Sequence, residues 1–122
     1  MNLVRNKETN VVTIDGKKVK FAHFRLIDDR GNVEPRGGAT VAYIGEADAI
    51  EAAGVSYCSN MDNFVYHYGR HKALGRLAQG IERGLASDEP REAEGFLPVK
   101  FVKEWTAEEI ESEMNLHGYS RF

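Results

Sequence analysis

The longest regular pattern in this 122-residue sequence is helical, and small residues run along one side of it. Apolar side chains at helical spacing predict a long amphipathic helix over residues 59–84, with the stripe Phe64, Tyr68, Leu74, Leu77, Ile81 and Leu85. Beside this stripe lie the small residues Gly69, Ala73, Gly80 and Gly84. Another backbone can come close to such a row. The row therefore fits a sheet packed tightly on the helix, a second copy of the helix in a homodimer, or a bound ligand.

Two glycines lie well inside this predicted helix, although each costs about 1 kcal/mol relative to alanine. They are Gly69 and Gly75. The predicted start is a capping box, in which Ser59 accepts from a backbone N–H three residues on and Asp62 reaches back to Ser59. Gly84 is the predicted end, because glycine is the usual residue after the last turn of a helix.

The first third of the chain predicts an antiparallel meander over residues 9–45. Asp15-Gly16 is a strong two-residue hairpin signal, and it leads into a second strand over residues 17–27. A turn at residues 28–32 precedes a third strand around residues 38–44, which we expect to pair with the second. Both faces of the second strand become apolar toward its end, so that half should be covered on both sides. One of its faces carries Val19, Phe21, His23, Arg25 and Ile27.

Shorter elements are predicted on either side of the long helix. The alanine-rich residues 45–54 indicate a short helix or helical turn, and residues 55–58 indicate a short strand. Residues 86–95 are predicted to form a charged loop. The apolar residues 96–102 read as an edge strand, because Pro98 is tolerated in a sheet only at an edge.

A second capping box opens the last predicted helix. It consists of Thr106 and Glu109, and the helix should run to about His117 and stop at Gly118. No internal repeat and no break in composition divides the chain, which predicts one domain over residues 1–122. The predicted fold class is α+β, an antiparallel β-meander or sheet packed against one long and one shorter α-helix.

Composition and charge narrow the function classes. The formal net charge of −3 argues against broad nucleic-acid binding, which needs a basic domain. Residues 59–85 carry four Lys/Arg against two acids, whereas residues 86–122 carry nine acids against four bases. The single cysteine cannot form an internal disulfide, and no apolar run approaches the ~20 residues of a membrane span. We therefore expect a cytoplasmic protein without membrane contact.

The basic face of the predicted long helix is the candidate site. Lys72, Arg76 and Arg83 recur at helical spacing with Gln79, and Arg70 lies close to them. Guanidinium groups match phosphate oxygens in pairs, and nearby rings can stack on a nucleobase. The predicted ligand-binding residues are therefore Arg70, Arg76, Lys72, Tyr68, His71, His67, Tyr57, Tyr66 and Arg83. A solvated basic face with nothing bound explains the same stripe.

Metal binding and catalysis have only weak candidates. His67 and His71 have the spacing of a metal pair, but no Glu follows His67 as in H-E-x-x-H and no third ligand is evident. Cys58 precedes the predicted helix start, where the dipole would lower its pKa, although a buried, inert cysteine is the favoured interpretation. The sequence contains no Gly-rich phosphate loop and no Ser-His-Asp arrangement. We predict no enzyme activity, no metal and no cofactor.

One segment resembles a signature of many small bacteriophage and prophage proteins, in which it follows a short β-meander. The pattern is C-S-x-x-D-x-F-x4-G-R-x-x-A-x-G-R-L, here Cys58, Ser59, Asp62, Phe64, Gly69, Arg70, Ala73, Gly75, Arg76 and Leu77. In size and layout the chain is also similar to the type 1 Thoeris anti-defence proteins. That resemblance implies a non-enzymatic sponge that binds cyclic ADP-ribose-type signals, or cyclic oligonucleotides, in homo-oligomers. It carries over no individual binding residue.

These observations lead to ranked hypotheses. The first is a phage-type anti-defence protein that sequesters an anionic nucleotide-like immune signal without catalysis, as a dimer or higher homo-oligomer in the cytoplasm of an infected bacterium. The second is a protein-binding inhibitor of a host defence effector, such as a nuclease or CRISPR complex, in which the acidic last third imitates nucleic acid. The third is a small nucleic-acid-binding protein that uses the basic stripe. An enzyme with Cys58 as nucleophile ranks last.

Overall fold

The computed structural model describes residues 2–83, 101–102, 106–116 and 118–121. Within them lie, in chain order, β1 Leu3–Arg5, β2 Val12–Ile14, β3 Lys17–Lys18, β4 Lys20–Leu26, β5 Arg36–Glu46, β6 Ala49–Asn63, α1 Tyr66–Arg83, β7 Phe101–Val102, α2 Ala107–Leu116 and β8 Tyr119–Arg121. Strands β1, β2 and β3 form a small sheet, and the large sheet has the order β7-β6-β5-β4-β8. All pairs are antiparallel. The predicted α+β class is confirmed.

The hairpin predicted at Asp15-Gly16 is confirmed. Ile14 pairs with Lys17, and the two turn residues have φ angles of 52° and 80°, as a type I′ turn requires. The second strand predicted over residues 17–27 is divided between the two sheets. The two lysines of β3 are exposed, whereas β4 is covered on both faces. The chain therefore changes from the small sheet to the large sheet between β3 and β4.

The short helix predicted over residues 45–54 is wrong, because this segment turns into β6 and forms the first part of that strand. Its residues pair with β5 up to the chain reversal. Ala52 packs on one face of the large sheet and Ala53 on the other. Pairing and burial on both faces outweigh the helix propensity of alanine. The strands predicted at residues 38–44 and 55–58 are confirmed as parts of β5 and β6.

The long helix begins at Tyr66, so the start predicted at residue 59 is wrong. Residues 59–63 still belong to β6, whose Asn63 pairs with β5. The next residue also contacts the sheet, because the Phe64 N–H donates to the backbone carbonyl of Pro35, the residue before β5. Ser59 Oγ accepts from a backbone N–H only two residues on, which is a local turn and not a helix cap. The predicted end at Gly84 lies outside the described residues.

The second capping box is confirmed. The Glu109 N–H donates to Thr106 Oγ1 at 3.1 Å, and the Thr106 N–H donates to Glu109 Oε1 at 3.2 Å. Helix α2 ends at Leu116, and Gly118 follows with a φ of 88°. The predicted loop 86–95 and most of the predicted strand 96–102 lie outside the described residues, but the last two residues of that strand form β7 at the sheet edge. Strand β8 was not predicted.

The two helices pack on opposite faces of the large sheet. On one face, α1 packs with the small sheet in a cluster of Val12, Ile14, Val19, Ala42, Ile44, Ala52, Ala73, Leu74 and Leu77. On the other face, α2 packs in a cluster that includes Phe24, Val41, Val55, Ile110 and Met114. Neither described helix has the length and hydropathy that a membrane span needs.

Close contact between α1 and the large sheet explains two of the glycines. A Cβ on Gly54 of β6 would lie 2.5 Å from the Ala73 carbonyl oxygen and 2.8 Å from Leu77 Cα. A Cβ on Gly69 of α1 would collide with the hydroxyl of Thr40 in β5. A Cβ on Gly75 would meet nothing within 4 Å. At Gly69 and Ala73 the small-residue row therefore packs tightly on the sheet, as the first of the three interpretations predicts.

Candidate anion-binding site

A concavity of about 840 Å³ lies between the small sheet and the first two turns of α1. Ligand sites for small molecules commonly have volumes of about 300–1,000 Å³. The small sheet and its flanking turns form one wall and α1 forms the other, with Phe21 of β4 also lining the space. The lining residues are Arg5, Thr9, Asn10, Val11, Val12, Lys18, Val19, Lys20, Phe21, Tyr66, His67, Arg70 and His71.

The charges around this basic concavity are of one sign. Its walls carry Arg5, Lys18, Lys20 and Arg70, and none of the described lining residues is acidic. Lys20 is partly engaged, because its Nζ donates to the Gly45 carbonyl at 3.1 Å and lies 3.7 Å from a Glu46 carboxylate oxygen. Lys17 and Glu51 form a second ion pair, and neither residue lines the concavity.

Arg70 is held by a neutral partner. Its Nε–H donates to Nε2 of His23 at 3.1 Å, and its guanidinium carbon lies 5.7 Å from the centre of the Phe21 ring. Because an arginine Nε always carries a hydrogen, Nε2 must be the acceptor and the ring proton must lie on Nδ1. Nδ1 lies 3.2 Å from Thr40 Oγ1, which accepts a hydrogen bond from the Nδ1–H. One tautomer of His23 therefore satisfies both contacts.

His23 is a buried imidazole with cations on two sides. The residue is 7% exposed. Burial, and then the positive charges of Arg70 and Arg25, lower the pKa of His23 to about 4. Both effects disfavour a second proton on the ring. At neutral pH the ring is therefore uncharged, and it orients Arg70 without neutralising it.

Arg25 is a second cation without a carboxylate partner among the described residues. It is 8% exposed, and its Nη groups donate to the Tyr66 hydroxyl at 3.1 Å and the Glu34 carbonyl at 2.8 Å. Its guanidinium carbon lies 4.4 Å from the Phe64 ring centre, a cation–π arrangement. Its Nε has no hydrogen-bond partner in the described part of the chain. These contacts fix Tyr66 at the start of α1.

The predicted ligand-binding residues do not form one site. Tyr66, His67, Arg70 and His71 line the basic concavity. Tyr57, Tyr68 and Lys72 instead border a smaller pocket of about 370 Å³ on the other side of α1. Helix α1 separates the basic concavity from the smaller pocket, because Gly69 packs directly on Thr40 of the sheet.

The remaining predicted residues have other surroundings. Arg76 donates to the Val55 carbonyl at 2.8 Å, at the part of β6 just beyond its pairing with β7. The side chain of Arg83 lies outside the described residues. Tyr57 packs against the cluster on the α2 face of the large sheet, and burial raises its pKa. Of the predicted basic stripe, Lys72 borders the smaller pocket and Arg76 donates to a backbone carbonyl of β6.

The surroundings of Cys58 do not favour a nucleophile. The residue is half-buried and lies within β6, eight residues before α1 begins at Tyr66, so it is not at a helix start. Burial is the main cause that raises the pKa of its thiol. Its Sγ lies 3.5 Å from the carbonyl oxygens of Ser59 and Asp62. The thiol is therefore the dominant form at neutral pH.

Sequence reasoning missed half of the basic concavity. Lys18 and Lys20 lie in the predicted second strand and Arg5 precedes the predicted meander, and the approach of all three to α1 depends on long-range packing. His23 and Arg25 did carry a signal, because polar side chains on an otherwise apolar strand face break the pattern of a buried strand. Such breaks are expected at functional positions.

Among the described residues, no group of three or more His, Cys, Asp or Glu side chains is placed to hold a metal ion. His67 and His71 both line the basic concavity. The chain has no match among protein-family models, curated proteins or solved structures.

Proposed function

We propose that this protein binds an anionic, nucleotide-like ligand in the basic concavity and performs no chemistry on it. The observation that carries the proposal is a space of about 840 Å³ with four Lys/Arg side chains and no described carboxylate in its lining. The resemblance to phage proteins adds a biological setting. In that setting the ligand is an immune signal, a cyclic ADP-ribose isomer or cyclic oligonucleotide, sequestered in the cytoplasm of an infected bacterium by a homo-oligomer.

The cations support an anionic ligand. Like charges that converge on a concave surface repel one another, and a bound anion relieves that repulsion. Arg70 can offer its two Nη groups, since its only hydrogen bond within the described residues uses Nε. Two adjacent N–H donors match two oxygens of a phosphate. Lys18 and Arg5 approach from the opposite wall, so the ligand is held from two sides.

The size and the rings support a ligand larger than a single phosphate. Tyr66, Phe21 and His67 line the same space as the cations. Aromatic rings stack on any nucleobase, and stacking contributes about 1–3 kcal/mol per base. A nucleotide joins both chemical features in one molecule. The lining residues supply charge, hydrogen-bond donors and rings, which are sufficient for sequestration without turnover.

Isothermal titration with pyrophosphate, cyclic nucleotides and ADP-ribose isomers tests the proposal. We expect saturable binding of at least one probe. Arg70→Gln should weaken that binding about 10-fold or more, because hydrogen bonds to charged groups contribute about 1.5–3 kcal/mol. Lys18→Gln should weaken it as well, by a smaller factor, because an ammonium group does not offer the paired N–H donors of a guanidinium.

Arg30→Gln is the matched control. It makes the same change in net charge as Arg70→Gln but lies in the exposed turn between β4 and β5, away from the lining residues. Its affinity should equal that of the wild type. Flat traces with every probe would remove the proposal, and so would equal weakening by Arg30→Gln and Arg70→Gln.

A second candidate function is supported by the charge of α2. This helix carries Glu108, Glu109, Glu111 and Glu113 and no Lys or Arg. An acidic helix can bind a basic partner protein, as in the inhibitor hypothesis. A pull-down from host lysate distinguishes the two functions. A stoichiometric protein partner that is lost in the double variant Glu108→Gln/Glu111→Gln favours the inhibitor. A small molecule that is released by heating the protein favours the sponge.

A further inference from the structure

We propose that His23 is a positioning residue of the anion site, whose neutral ring fixes the Arg70 guanidinium at the basic concavity without cancelling its charge. This inference rests on the proposed function, since it assigns a role in binding the same anion. It adds a residue that does not itself line the concavity.

Arg70 needs a restraint if it is to bind an anion without a large loss of side-chain entropy. It is an exposed residue in the second turn of α1. A long, exposed arginine samples many rotamers, and ordering it on ligand binding lowers affinity. The Nε–H bond to His23 removes that freedom near the head group, because it fixes the edge of the guanidinium plane. The two Nη groups remain on the opposite edge.

His23 is itself held by contacts on several sides. It lies opposite Thr40 in the β4–β5 ladder, and its Nδ1–H donates to the Thr40 hydroxyl. The rings of Tyr66 and Phe64 stand edge-on to it, with centroid distances of 4.6 Å and 6.1 Å. Gly69 lets α1 lie directly on Thr40. The acceptor for Arg70 therefore belongs to the rigid helix–sheet contact.

The acceptor for Arg70 is also neutral. A carboxylate at residue 23 would also orient Arg70, but it would neutralise the charge on which anion binding depends. The charged and titratable groups that face His23 are Arg70 and Tyr66 from α1 and Arg25 from its own strand. No described carboxylate makes an ion pair with either arginine. The His23 ring thus lies beside two arginines whose positive charges no described carboxylate neutralises through an ion pair.

Two amide substitutions separate positioning from general packing. In His23→Gln, the side-chain oxygen can reach the position of Nε2 and accept from Arg70. In His23→Asn, the shorter amide reaches the position of Nδ1 and Thr40 but leaves the Arg70 Nε–H without this acceptor. Both changes replace a buried ring by a polar amide, so both should lower thermal stability to a similar extent.

The measurement is the dissociation constant for pyrophosphate or, if a nucleotide probe binds more tightly, for that probe. We expect His23→Gln to bind within about 3-fold of the wild type and His23→Asn to bind about 10-fold more weakly. Equal affinities of the two variants would overturn the positioning role while leaving anion binding intact. If the wild type binds no probe, the proposed function fails and the positioning role fails with it.

The ¹⁵N spectrum of His23 in the wild-type protein supplies a second readout that does not depend on variants that fold. We expect Nδ1 to carry the proton and Nε2 to show the shift of a hydrogen-bonded acceptor, which changes in Arg70→Gln. A proton on Nε2 would overturn the inference, because that nitrogen could not then accept from Arg70.

Discussion

Gly54→Ala should destabilise the fold by about 3 kcal/mol or more, the largest effect that we expect from one added methyl group. The new Cβ would lie 2.5 Å from the Ala73 carbonyl oxygen and 2.8 Å from Leu77 Cα. Both atoms belong to the backbone of α1, so no side-chain rotation can relieve the overlap. Either the helix must move away from β6 or the strand must bend. Urea denaturation followed by circular dichroism measures the change.

Gly75→Ala is the control for this prediction. The residue is exposed in the middle of α1, and a Cβ there meets nothing within 4 Å. Alanine should stabilise the protein by about 0.5–1 kcal/mol, because it favours the helix and restricts the unfolded chain. If Gly54→Ala were as stable as Gly75→Ala, the close approach of α1 to β6 would be refuted.

Acidification should remove stability through His23. The pKa of this residue is lowered from 6.5 to about 4 in the folded protein. Between these two values the unfolded chain binds a proton that the folded chain does not, so the free energy of unfolding falls as the pH drops from about 6.5 to about 4. Below pH 4 both states are protonated and the contribution is lost. Allowing for solvent relaxation at the site, we expect a loss on the order of 2 kcal/mol.

Urea denaturation at pH 7, 5.5 and 4 measures this dependence, and His23→Gln isolates it. The variant lacks the titrating ring but keeps every carboxylate, so the difference between the two stability curves belongs to residue 23. We expect the curves to converge as the pH falls. Parallel curves would show that His23 titrates alike in the folded and unfolded chains.

Sequence reasoning succeeded where short-range chemistry decides the structure. Asp15-Gly16 specifies its turn because few residue pairs accept two positive φ angles. Thr106 and Glu109 specify a helix start because each satisfies a backbone N–H near the other. These features involve residues at most three apart, and no distant contact is needed to stabilise them.

The errors lie where distant contacts overrule local preference. Ser59 and Asp62 have the spacing of a helix cap, yet pairing with β5 keeps that segment in β6. The alanines of residues 45–54 favour a helix, yet Ala52 and Ala53 are buried as small residues on opposite faces of the large sheet. Strand pairing of this kind cannot be read from a single window of sequence.

The candidate site was half predictable for the same reason. Helical spacing brings Tyr66, His67, Arg70 and His71 to one side of α1, and the structure keeps them together. Helical spacing does not indicate which side of α1 faces the hairpin, or that His23 accepts from Arg70. Arg76 illustrates the limit, because its guanidinium is used on a carbonyl of β6.

The placement of the two helices on opposite faces of the large sheet separates charge across the thickness of the molecule. The basic concavity opens on the α1 side, and the four glutamates of α2 lie on the other. Among the described residues, these two groups place opposite charges on opposite faces of the large sheet, although the net charge of the chain is only −3. An approaching anion would be turned toward one face before contact, within a screening distance of about 8 Å at physiological salt. Its association rate should therefore fall as salt is added, the opposite of what two net-negative partners would show.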